Sequence, residues 1–92
     1  MKQIWKFELD RLFHGAECHV HIQENYQFLD IQEKDDKLFI WALVEPTLPK
    51  LTHVFRVIGT GHSHPVLENG SKYLKTVQWR DLVWHIFENG TV

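Results

Sequence analysis

Ninety-two residues with a formal net charge of −2, 43% hydrophobic and 13% aromatic side chains describe one small packed domain spanning residues 1–92, not a disordered chain. The ten lysines and arginines are scattered with no basic block, which disfavours capture of duplex nucleic acid. A single cysteine, Cys18, excludes an intramolecular disulfide, and no apolar run reaches signal-peptide or membrane-spanning length, so the chain reads as cytoplasmic with no membrane partner.

Taken in chain order, the pattern is β throughout. Trp5, Phe7 and Leu9 alternate against Lys6 and Glu8, the mark of a half-buried strand. The stretch from Asp10 to Glu17 contains Gly15 and reads as a loop. From Cys18 to Gln23, Val20 and Ile22 share one face while His19, His21 and Gln23 share the other. Leu29 and Ile31 oppose Asp30 and Gln32 in the next strand, with a helical turn around residues 24 to 30 as a minor alternative. The charged turn Lys34-Asp35-Asp36-Lys37 then closes a hairpin. Its second arm, Leu38 to Val44, is apolar on both faces and needs cover on both, from a second sheet or from a second subunit. Pro46 and Pro49 end that run, because proline lacks a ladder donor. A β-branched run from Thr52 to Ile58 leads into an irregular segment from Gly59 to Ser71. Two last strands, Tyr73 to Trp79 and Leu82 to Phe87, are joined at Arg80-Asp81, and the tail from Glu88 to Val92 is expected to fray. Six to seven short strands at regular spacing predict an all-β, single-domain small sandwich or barrel. A domain this small buries only about 60–65% of its unfolded surface, so association into a homo-oligomer is the expected way to widen its stability margin.

Three ordered segments, Trp41-Ala42-Leu43-Val44-Glu45-Pro46, Gly59-Thr60-Gly61-His62 and Val83-Trp84-His85-Ile86-Phe87-Glu88, follow the opening Ile4-Trp5-Lys6-Phe7. Together they resemble a family of small bacteriophage proteins of uncharacterised function. That resemblance spans nearly the whole chain and implies a β fold and a phage setting, with the host cytoplasm as the place of action. It implies no reaction.

Histidine is the chemistry-bearing residue here. Four of the seven histidines form two His-x-His pairs, His19/His21 and His62/His64. In extended backbone, residues i and i+2 aim at one target. The second pair follows Gly59-Thr60-Gly61, where glycine permits φ > 0 and close backbone approach, so successive N–H groups can form an anion nest. Arg56, Gly59, Thr60, Gly61, His62, Ser63 and His64 therefore make the candidate site for a small anionic or nucleotide-type ligand, with Trp79 beside the turn as the aromatic expected to be exposed. The competing explanation is a purely structural turn. No Gly-Lys-Ser/Thr follows, so this is not a P-loop.

A metal alternative uses His62, His64, Glu68 and His85, a spacing similar to parts of the cupin motifs. The glycine and proline framework of those motifs is missing, and Pro65 interrupts the strand that would follow. No metal or other cofactor is therefore expected. Nucleophilic catalysis has little support, because Cys18 and His19 face opposite ways on a strand. The phage setting that the resemblance implies, joined to the Gly-His loop, leads to the expectation of a non-enzymatic binding protein that sequesters a host nucleotide-type defence signal; the loop alone would not support it. A cupin-like metal-dependent enzyme is one alternative. A protein-binding or virion accessory module using the aromatic surface is the other.

Overall fold

The computed structural model describes residues 1–9, 17–65 and 71–92. Seven strands run in chain order: β1 Gln3–Leu9, β2 Glu17–Gln23, β3 Gln27–Lys34, β4 Lys37–Val44, β5 Lys50–Gly59, β6 Lys72–Trp79 and β7 Leu82–Thr91. They form two antiparallel sheets, three-stranded β1-β4-β3 and four-stranded β2-β5-β7-β6. The result is a sandwich rather than a closed barrel. Residues 27–34 form a strand, so the helical alternative there is discarded. No helix among the described residues is long and apolar enough to cross a membrane.

Alternation explains the core. Leu38, Ile40, Ala42 and Val44 of β4 face Cys18, Val20 and Ile22 of β2, Phe55 and Val57 of β5, Val77 and Trp79 of β6, and Trp84 and Ile86 of β7. Cys18 is buried among them, a small apolar side chain in effect. Both hairpins turn through two residues with positive φ, Asp35-Asp36 (53° and 64°) and Arg80-Asp81 (53° and 60°). That left-handed pair suits the right-handed twist of the flanking strands. The two turns lie side by side, tied by Arg80, whose Nε and Nη2 donate to the two Asp36 carboxylate oxygens at 2.9 and 2.8 Å. The Arg80 guanidinium holds the Asp36 carboxyl below its ordinary range. At the adjoining sheet edges, Lys75 of β6 bonds Asp30 of β3.

The outer face of β4 carries Phe39, Trp41 and Leu43, as its two-sided apolar pattern requires. Part of its cover is local. Lys6, opposite Trp41 on β1, lays its ammonium 4.7 Å from the Phe39 ring centroid and 5.8 Å from that of Trp41. A lysine in the middle of an apolar sheet face shields part of the rings and leaves them half-buried.

The fraying predicted for the tail is corrected. β7 continues to Thr91, which pairs with His53, and Val92 N–H donates to Thr52 O at 3.0 Å. The apolar periodicity stops at Phe87, but the backbone ladder does not need it.

Candidate functional site

The end of β5 builds a recess. Gly59 is in phase with the core-facing Phe55 and Val57 and pairs with Trp84 of β7. With no side chain at Gly59, the wall beside Trp84 stays open. A recess of about 250 Å³ results, lined by Gly59, Thr60, His62, Leu82, Val83 and Trp84. Its apolar side is Leu82 and Val83, exposed at 56% and 43%, over a Trp84 that is 9% exposed. The Trp84 indole is fixed by its Nε1–H donating to Trp79 O at 3.0 Å. Its polar side is Thr60 and the exposed His62.

The turn is held down from within. Thr60 N–H donates to Val83 O and His62 N–H to Gly59 O, both at 3.2 Å. Those two amides are thus spent inside the protein. Gly61 has φ +86°, and a Cβ added there meets nothing within 4 Å. The demand for glycine is therefore conformational, not a close approach.

His85 of β7 anchors the neighbouring sheet surface. Its Nε2 lies 2.8 Å from Thr60 Oγ1, and its Nδ1 lies 2.9 Å from Thr76 Oγ1 on β6. Thr76 Oγ1 is in turn 2.7 Å from Tyr73 Oη. Register places His85 between Ile58 and Thr76, on the outer face of the four-stranded sheet. Arg56 shares that face, 3.7 Å from Glu17, which also approaches His19 Nε2 at 3.5 Å. His21 Nδ1 is 3.0 Å from Thr52 Oγ1. Val54 and Ile58 on this face are only 5% and 2% exposed, so the surface around them is not an open platform.

Of the residues singled out from the sequence, Gly59, Thr60 and His62 meet in the recess. Gly61 shapes its turn, Ser63 and the half-buried His64 follow it, and Arg56 sits four positions earlier on β5. Trp79 needs correction. It is 6% exposed, its ring 6.2 Å from that of Trp84 and capped by the Arg80 guanidinium at 4.2 Å. It occupies the same inward phase as Val77, so it belongs to the core. The recess uses Trp84 instead. For the metal alternative, Glu68 lies outside the described residues, and both ring nitrogens of His85 are engaged by hydroxyls. Among the described residues no group of three or more His, Cys, Asp or Glu is placed to hold a metal ion.

A second polar cluster escaped the sequence reading. His53 of β5 is 5% exposed and points inward, in phase with Phe55. Its Nε2–H donates to Ile22 O at 3.0 Å, because a carbonyl only accepts. Its Nδ1 lies 3.5 Å from Glu88 Oε2, which also accepts from Tyr26 Oη at 2.9 Å. The Tyr26 ring meets that of His53 edge-on at 4.8 Å. Burial first, and the Glu88 carboxylate second, push the Tyr26 phenol well above its ordinary range. This cluster ties β2, the turn before β3, β5 and β7 together. His53 shares the parity of Phe55 and Val57, which was the available signal. Glu88 and Tyr26 are 62 positions apart, and nothing local announces their meeting.

Residues 1–91 match the family model described as Domain of unknown function (DUF7352), and the chain belongs to that family. No curated protein and no solved structure matches the chain.

Proposed function

We propose that this DUF7352 domain is a non-enzymatic binding protein whose small ligand enters the recess between the Gly59–His62 turn and the start of β7. One observation carries the proposal: a preformed apolar wall of Leu82, Val83 and Trp84 faces a polar edge of Thr60 and His62. Ligand sites commonly pair an apolar body with a few placed polar groups. At about 250 Å³ the recess is smaller than the roughly 300–1,000 Å³ of sites for drug-sized ligands. It therefore takes one ring system, with the remainder of the ligand on the rim. A nucleotide-type ligand fits that division, its base against Trp84 and its anionic group beside His62 and Thr60. In the phage setting that the resemblance implies, the protein would sequester a nucleotide-type defence signal in the host cytoplasm.

Titration of cyclic AMP and cyclic GMP, followed by intrinsic tryptophan fluorescence and calorimetry, tests the proposal. Binding is expected, with at least a tenfold loss on Val83→Arg, since the long side chain fills the recess. No binding of either nucleotide, or equal affinity in the variant, would sink it. Self-association belongs to the same proposal, since a second copy would cover Ile4, Leu29 and the Phe39–Trp41–Leu43 stripe. Light scattering at micromolar concentration is expected to show a multiple of 11.0 kDa, and a monomer would remove that part.

A further inference from the structure

We infer that His85 makes this recess proton-linked: an anionic ligand is taken up together with one proton, which resides on His85. The inference rests on the recess being the ligand site and adds the charge class it selects. The hydrogen bonds carry it. Each ring nitrogen of His85 faces a threonine hydroxyl, Thr60 at 2.8 Å and Thr76 at 2.9 Å. A neutral imidazole has one N–H and one lone pair, so one of the two threonines has to spend its single hydrogen on the ring. In the imidazolium both nitrogens donate and both threonines accept, so the one hydroxyl hydrogen that the neutral ring held is released and neither hydroxyl hydrogen points to the ring. That of Thr76 turns to Tyr73 Oη, 2.7 Å away. That of Thr60 is left with only the Val83 carbonyl at 3.4 Å, a poor bond, or with an acceptor in the recess that Thr60 lines. Protonation thus sets a positive charge beside the recess and leaves the ring with no lone pair to claim the Thr60 hydrogen. An anion gains from the charge, which gives a neutral ligand no comparable gain.

Among the described residues, the charged and titratable groups sharing this face are Arg56 on β5, Glu17, His19 and His21 on β2, and Tyr73 on β6, with His62 in the turn. The carboxylate among them, Glu17, is engaged by Arg56 at 3.7 Å and His19 at 3.5 Å. Both hydrogen-bond partners of His85 are neutral hydroxyls. An anionic ligand beside an imidazolium at this position supplies balancing charge, which makes proton and anion uptake mutually reinforcing.

Cyclic AMP suits the test, because its single phosphodiester charge is constant across the range in which histidine titrates, and adenosine serves as the neutral comparison. Calorimetry of cyclic AMP at several pH values, each in two buffers of different ionisation enthalpy, reads affinity and proton uptake together. Affinity is expected to rise by up to about tenfold per pH unit as pH falls, with close to one proton taken up. Adenosine should show no such slope. His85→Gln should bind with no pH dependence. His62→Ala should bind more weakly and keep the slope. Thr76→Val removes the acceptor for Nδ1–H and should reduce the linkage, which keeps the test decisive if His85→Gln does not fold. A slope that survives in His85→Gln, one that vanishes in His62→Ala, or binding without proton uptake would overturn the inference and leave the recess standing. Absence of binding at every pH would overturn the recess itself.

Discussion

Replacing Trp84 with alanine is expected to lower the free energy of unfolding by about 3–5 kcal/mol and to abolish ligand binding at the recess. The side chain is 9% exposed, packs against Trp79 and forms the floor of the recess. Its removal therefore costs the transfer of a large aromatic surface and leaves a void that the Gly59 position has no side chain to fill. A folded domain of this length holds roughly 5–14 kcal/mol in total, so the variant approaches the threshold of folding. Thermal melting should fall by roughly 15–30 °C. Trp84→Phe separates the two roles. It keeps a ring in the recess but loses the Nε1–H bond to Trp79 O, at a cost of about 0.5–1.5 kcal/mol. Binding should persist in that variant, weakened. Trp79→Phe should also destabilise while leaving cyclic nucleotide affinity within about twofold, because the group that Trp84 uses is the Trp79 main-chain carbonyl. Chemical denaturation alongside the nucleotide titration checks all three. Binding lost in Trp79→Phe and retained in Trp84→Ala would restore the role that the sequence assigned to Trp79.

That reversal between two tryptophans shows how far the sequence carries. Period-two alternation was legible almost everywhere, because each sheet buries one face and solvates the other. Trp5, Phe7 and Leu9, then Val20 and Ile22, then Leu38, Ile40, Ala42 and Val44 all point as their spacing predicts. The hairpin turns at Asp35-Asp36 and Arg80-Asp81 were legible from their charge and position. Proximity to a turn misled for Trp79, where phase with Val77 was the better guide. The recess was half legible. Gly59 to His62 was readable from its glycines. Its other wall, Leu82 to Trp84, is brought in by the β5–β7 pairing, and β6 intervenes in the chain. The histidines divide the same way. His62 was visible as part of a motif. His85 gains its meaning only when register puts Thr60 and Thr76 at its two ring nitrogens, 25 and 9 positions away. The demand for cover on both faces of β4 was correctly drawn, but cross-strand neighbours answer it in part: Lys6 reaches the outer aromatics from β1.

The largest polar effect is expected at Glu88, and it turns on what replaces the carboxylate. Glu88 Oε2 is the acceptor for Tyr26 Oη at 2.9 Å and stands 3.5 Å from Nδ1 of the buried His53. Glu88→Ala strands the phenol in a largely dry corner, at an expected cost of about 1–3 kcal/mol. Glu88→Gln is a different experiment. Its amide oxygen still accepts from Tyr26, and its N–H₂ offers the donor that a neutral His53 Nδ1 lacks, so this variant should lie within about 1 kcal/mol of the parent near neutral pH. The alkaline limb of stability follows from the same corner. The Tyr26 phenol titrates higher in the folded protein than in the unfolded chain, so folding binds that proton more tightly. Its contribution is complete below the unfolded phenol value of about 10 and is lost as pH climbs above it, at up to about 1.4 kcal/mol per pH unit. Tyr26→Phe should flatten that limb. Glu88→Gln should shallow it only in part, because burial, the larger cause, remains. Denaturant midpoints of the four proteins between about pH 7 and 11 measure every term. Equal losses in Glu88→Ala and Glu88→Gln would show that the carboxylate charge itself, and not hydrogen-bond satisfaction, holds β7 to the buried His53.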